Sequence, residues 1–203
     1  MSILEFTYRS AHRIKKDFLR FLNHIYTWML FRANGVRFST FRTGGRPYVV
    51  VNRGGNMCVG IDFAMNNGLK NNIIGIPQPC TFFVKKDCCL TIGNHVGISQ
   101  SALIAHADIT IGDNVKIGGG TCVYTTDFHS LDPRIRIGKE DYRYSKKAPV
   151  VIEDNVFIGA KCIILKGVII GKNSIVGAGS VVTNSIPENE IWAGNPAHFV
   201  RKV

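Results

Sequence analysis

Ile152 to Pro187 reads IEDNVF IGAKCI ILKGVI IGKNSI VGAGSV VTNSIP, six units of six residues with nothing between them. Each unit opens with Ile or Val. The second place is usually Gly, and the fifth is small or β-branched: Val156, Cys162, Val168, Ser174, Ser180. An α-helix needs apolar residues every three or four positions, so a strict period of six excludes it. A repeat of this length marks a parallel β-helix, in which each unit supplies one short strand and a turn. The leading Ile or Val points inward and stacks on its equivalent in the next coil, while Gly and Asn at the corners take up backbone conformations that other residues resist.

The same beat runs upstream through IGNHVG, ISQSAL, IGDNVK and IGGGTC, with one extra residue between Ile104 and Ile111. Residues 48 to 90 keep only fragments such as VGIDF and IIGIP, which predicts irregular coils up to about residue 90. The expected fold is all-β, one β-helix domain over 36–203 with a C-terminal tail at 188–203, preceded by a helical segment at 1–35.

From about Ile92 to Val203 the chain resembles the hexapeptide-repeat acyltransferases, most closely the O-acetyltransferases of sugars and surface polysaccharides. The residues that carry the resemblance are DFH after a repeat run (Asp127–His129), GAGSVVT (Gly177–Thr183) and the closing WAGNPAHFVRKV. It implies a left-handed coil, where the crossover rule alone favours the right-handed form. It also implies acetyl-CoA as donor, a homotrimer and transfer without an acyl-enzyme.

The beat breaks at about 125–149, a loop excursion that carries His129, and loops on rigid scaffolds are where function concentrates. Acetyl transfer to a hydroxyl needs a base, and imidazole suits neutral pH. The resemblance makes His129 that base. A carboxylate would fix its tautomer; Asp127 is the first choice by proximity, with Asp132, Glu140 and Asp141 open. His95 and His106 fall at repeat corners, with side chains expected outward; His12 and His24 belong to the N-terminal helix. No metal site is expected, because the close histidine pair of the γ-class carbonic anhydrases, which share this fold, is missing.

For the donor, the resemblance places Phe157 near the acetyl end, the backbone of Ala160 and Ala178 on the pantetheine arm, Thr183 and Asn184 near the nucleotide and Arg201 in the tail. Asn184 stands where many relatives carry Lys, and His198 where they carry Lys or Arg. Ser99 and Gln100 match polar residues set against the acceptor sugar.

The formal charge is +11, and residues 1–53 hold ten Lys or Arg against Glu5 and Asp17, a net of +8. Ile14, Phe18, Phe21, Leu22, Ile25, Tyr26, Met29 and Leu30 form a wide helical stripe. The longest uncharged run of this N-terminal segment lies between Arg20 and Arg32, far short of the roughly 20 apolar residues of a membrane span. Such a helix caps the open end of the coil, packs between subunits, or lies through residues 9–33 on an anionic membrane. No nucleic-acid partner is expected, since no reading helix or stacking motif accompanies the charge. Six cysteines without a CxxC pair or secretory signal read as reduced thiols. The expected location is the cytoplasm, peripheral at the inner face of the membrane.

These readings converge on an acetyl-CoA-dependent O-acetyltransferase of a saccharide, lipid-linked in polysaccharide assembly. The alternatives are N-acetylation of an amino sugar, acetylation of a small xenobiotic, or a non-catalytic β-helix scaffold at a membrane.

Overall fold

The computed structural model describes residues 2–203. One long helix, Ile3–Ala33, opens the chain, its first turn capped by the Ser2 hydroxyl, which accepts from the Glu5 N–H at 3.1 Å. The helix stops at Asn34, whose Nδ2 donates to the Leu30 carbonyl at 3.0 Å, and Gly35 at φ +66° turns the chain away. The Asn34 Oδ1 also accepts from the Val51 N–H at 3.1 Å, joining the helix end to the first coil. Phe31, fully buried, closes the open end of the coil with its ring 5.4 Å from Phe38 and 5.2 Å from Phe41.

Beyond it the chain winds as a left-handed parallel β-helix with three sheets. The first coil contributes Arg37–Phe38, Phe41–Gly44 and Tyr48–Val51, one strand to each sheet, and the last full turn contributes Ile169–Ile170, Ile175–Val176 and Val181–Val182. The stacking follows from the repeat. Ile92, Ile111, Ile152 and Ile170 lie in register in the first sheet; Ile98, Ile117, Ile158 and Val176 in the second; Leu103, Val123, Ile164 and Val182 in the third. None of them is more than 3% exposed. Burying each such side chain stabilises the fold by about 1.5–3 kcal/mol.

The corners explain the other repeat positions. Asn114, Asn155, Asn173 and Asn189 all sit near φ +60° and form a ladder, each Nδ2 donating to the next Oδ1 at 3.1, 3.0 and 2.8 Å. Asparagine tolerates this conformation and bonds along the stack. At another corner Gly159 has no room for a side chain, because a Cβ would lie 2.5 Å from the Ala178 nitrogen.

Two features differ from the sequence reading. The early coils already have regular strands in all three sheets, and their irregularity is concentrated in one excursion between Asn66 and Thr81. In the third sheet Leu103, not Ile104, points inward, because the corner at Gln100 (φ +45°) is one residue short. The tail is a hairpin: Glu190–Gly194 extends the second sheet on Ile175–Val176, and Ala197–Lys202 returns antiparallel to it. The Lys202 ammonium at 2.6 Å and the Trp192 indole N–H at 2.7 Å hold the Glu190 carboxyl below its ordinary range.

Candidate active site

The break in the repeat leaves the coil after Cys122–Tyr124 in the third sheet and returns at Val150–Ile152 in the first. Its stem is zipped by the Asp127 N–H on the Lys146 carbonyl (3.0 Å) and the Ala148 N–H on the Thr125 carbonyl (3.2 Å). At the top of the stem the Asp127 carbonyl accepts from the His129 N–H at 2.8 Å, with Phe128 held at φ +64° between them. A bulky residue in the left-handed region costs of order 1–3 kcal/mol and persists only where its surroundings impose it. Here Phe128 is locked edge-on against Tyr124 and His106, at 5.4 and 5.7 Å, so the turn lifts His129 clear of the coil.

His129 is 68% exposed in its side chain, and its Nδ1 lies 2.6 Å from Asp141 Oδ2. The other Asp141 oxygen accepts from the Ser130 N–H at 2.7 Å. These bonds, the imidazole first and the amide second, hold the Asp141 carboxyl below the usual aspartate range. An ionised Asp141 accepts a proton-bearing Nδ1, which leaves the lone pair on Nε2. Among the described residues Nε2 has no partner.

The carboxylate on the imidazole is therefore Asp141 rather than Asp127, the neighbour in sequence. Asp127 turns the other way: Oδ1 accepts from Lys166 of the next coil, while Oδ2 is buried without a partner among the described residues. Asp127 anchors the base of the loop to the coil. Asp132 caps the short helix Pro133–Arg136, and Glu140 pairs with Arg143. Asp141 was among the open carboxylates, but nothing in its local sequence singled it out, since it stands twelve residues from the histidine it meets.

His106, expected outward, is instead buried beneath the loop. Its Nδ1 lies 3.1 Å from the Tyr142 hydroxyl, and its ring packs against Phe83 and Phe128. Burial, then the nearby Lys85 and Lys147 ammoniums, push its pKa down and keep it neutral. Tyr142 follows Asp141, so this contact fixes the segment that carries the carboxylate. His95 remains outside, 3.5 Å from Asp62.

The residues expected to hold the donor are distributed over the coil. Phe157, 49% exposed, stands on the outer face of the second sheet beside Lys116 and Ile175. Ala160 and Ala178 occupy the corner between the second and third sheets, and among the described residues neither of their N–H groups is bonded. Thr183 and Asn184 are exposed past the third sheet, bonded to each other at 3.2 Å, and Arg201 lies exposed on the hairpin.

The acceptor pair divides. Ser99 is half-buried and accepts from Asn66 at 3.1 Å. Gln100 is fully buried, its Nε2 donating to the carbonyls of Gly68 (3.2 Å) and Ile76 (2.8 Å) and its Oε1 accepting from Asn72 (2.9 Å). That side chain is consumed in holding down the 67–80 excursion and cannot also bind a sugar.

Comparison with known proteins adds to this geometry. A family pattern described as the hexapeptide repeat of succinyl-transferase matches residues 149–184. A hexapeptide-repeat containing acetyltransferase from Vibrio cholerae, also solved with acetyl coenzyme A, superposes with a TM-score of 0.51 at 40% identity, over 56% of this chain and 62% of that one. The repeat region is thus similar to hexapeptide-repeat acetyltransferases. A galactoside O-acetyltransferase from Lactococcus lactis is 43% identical to this hexapeptide-repeat chain over 101 residues, 50% of it and 46% of the relative. The chain thus matches about half the length of the curated relatives. AntD, an N-acyltransferase from Bacillus cereus, shares the fold over 86% of both chains, with a TM-score of 0.64 at 22% identity.

Proposed function

We propose that this hexapeptide-repeat protein is an acetyl-CoA-dependent O-acetyltransferase acting on a saccharide hydroxyl, with His129 as general base. The observation that carries the reading is the 2.6 Å contact of Asp141 with Nδ1 of the exposed His129 side chain, which leaves Nε2 without a partner among the described residues. The acceptor hydroxyl gives its proton to Nε2 as its oxygen attacks the thioester carbonyl. The new ester forms, the carbon–sulfur bond breaks, and the imidazolium returns the proton to the departing thiolate. Ionised Asp141 steadies the imidazolium between these steps.

The unbonded N–H groups of Ala160 and Ala178 suit the amide-rich arm of the donor, and Phe157, Thr183, Asn184 and Arg201 would line its path. His129 stands at the corner between the third and first sheets, whereas Ala160 and Ala178 stand at the corner between the second and third. The third sheet separates them, so one chain cannot easily bring both to one acceptor. A homotrimer that sets one subunit's His129 corner against the next subunit's donor corner resolves this, and we take it as the working assembly. The relatives named for galactoside acetylation support a sugar acceptor; a lipid-linked saccharide of surface polysaccharide assembly, met at the inner face of the membrane, is our specific choice.

Titration calorimetry with acetyl-CoA, followed by thiol release with a panel of saccharides and amines, tests the reading. Saturable donor binding with transfer to hydroxyl acceptors, lost in His129→Ala, is the expected result. Donor binding without any transfer, or full activity in His129→Ala, would overturn it.

A further inference from the structure

The helix Ile3–Ala33 packs on the β-helix along one line near its end. Asn23, Thr27, Leu30 and Phe31 lose exposure there, His24 stacks on Phe41 at 4.4 Å, and Arg46 bonds Asn23 at 3.2 Å while covering the Tyr26 ring. On a helix of 3.6 residues per turn, the stripe Ile14, Phe18, Phe21, Ile25 and Met29 falls on nearly the opposite side, with Phe21 at its edge, where it also lines the cleft between helix and coil. These side chains are 70, 59, 60, 39 and 52% exposed. The amphipathic helix is therefore mounted with its apolar face turned away from its own fold. A contiguous exposed apolar face of this kind marks an interaction surface.

The charges indicate which surface. Residues 1–53 carry +8 of the chain's +11, leaving +3 for all the rest. Arg13, Lys15 and Lys16 form no ion pair among the described residues. Behind the helix a cleft of about 660 Å³ adds Arg42 and Lys70 to Lys16 and Arg20. A second copy of this helix would bring cations against cations, whereas anionic lipid headgroups would neutralise them. Aromatic side chains such as Trp28, 45% exposed beside Arg32, suit the headgroup level of a bilayer.

We infer that the Ile3–Ala33 helix docks in the plane of an anionic lipid surface, with Ile14, Phe18, Phe21, Ile25 and Met29 entering the acyl boundary and the basic residues meeting the headgroups. No helix among the described residues is long and apolar enough to cross a membrane, so the contact is peripheral. The inference gives the membrane-linked acceptor proposed above a physical means of encounter, yet vesicle binding is measured without either substrate. Failure to dock leaves the acetyl-transfer reading standing, and failure to bind acetyl-CoA leaves the docking standing.

Co-sedimentation of the full chain with vesicles tests it. Wild type should pellet with vesicles containing phosphatidylglycerol and stay in the supernatant with phosphatidylcholine alone, and its binding should weaken at high salt. Because these side chains are exposed, Phe18→Gln with Phe21→Gln should keep the circular dichroism of wild type and lose at least about tenfold in partitioning. Lys15→Gln with Lys16→Gln should lose about fivefold per residue removed. Wild type remaining in the supernatant with anionic vesicles would overturn the inference. So would apolar variants that pellet normally but change the oligomer size, which would assign the face to a second copy.

Discussion

Asp141 Oδ2 lies 2.6 Å from Nδ1 of His129 although twelve residues separate them, whereas Asp127, two residues away, is bonded to Lys166. The loop spends its nearer carboxylate on attachment and its farther one on the imidazole. Asp141→Asn should lower kcat by about 10- to 10²-fold, less than the roughly 10²- to 10⁴-fold expected for His129→Ala, with KM for acetyl-CoA unchanged. Asp127→Asn should act first on stability. Steady-state kinetics with thermal melts on both variants separates the roles, and a large kcat loss in Asp127→Asn alone would reverse them.

The same pair gives a pH signature. The Asp141 carboxyl is held below its ordinary value in the folded state, so its contribution is present above the unfolded aspartate value and is lost as pH falls through the lower folded value. Wild type should melt above Asp141→Asn at neutral pH, and the two curves should converge only in acid below about pH 4. A gap that closes near pH 6 would mean that another group governs it.

His106 has the opposite charge type and predicts a second window. Its folded pKa is depressed, so the unfolded chain takes up a proton that the fold resists, and stability falls as pH drops below the ordinary histidine value of about 6.5. His106→Gln should flatten the melting temperature between about pH 5 and 6.5. Hydrogen exchange in the Asp141–Tyr144 segment should rise in the variant, because the Tyr142 contact is weakened.

Gln100 should behave as a fastener. Gln100→Ala removes three hydrogen bonds from a buried site and takes the Gln100 donor from the Ile76 carbonyl, at about 1–3 kcal/mol for a buried group left unsatisfied, while the Gly68 carbonyl keeps the Asn71 N–H. Limited proteolysis should then cut within 67–80 while the coils stay intact. Unchanged protection of that segment would count against the assignment.

The coil predicts its own sensitivities. Ile164→Ala opens a gap between Val123 and Val182 and should cost about 2–5 kcal/mol in chemical denaturation. Gly159→Ala should also destabilise the fold, though it adds only a methyl group, because its Cβ would meet backbone at 2.5 Å. A neutral Gly159→Ala would show that the corner can open.

The parts legible in the sequence are those specified locally and repeatedly. Ile152, Ile158, Ile164 and Ile170 each name their place by the six-residue beat, and Asn155 and Asn173 name their corners by tolerating φ near +60°. His129 was legible because it interrupts a pattern. The Asp141 contact and the inward Leu103 were not, because neither follows from near neighbours: one depends on how the 125–149 loop folds over His106, the other on a corner shortened by one residue. Likewise the N-terminal stripe is plain in the sequence, but its outward direction is not. An amphipathic pattern fixes which residues share a face, and only the packing of Phe31 and His24 on Phe41 decides which way that face turns.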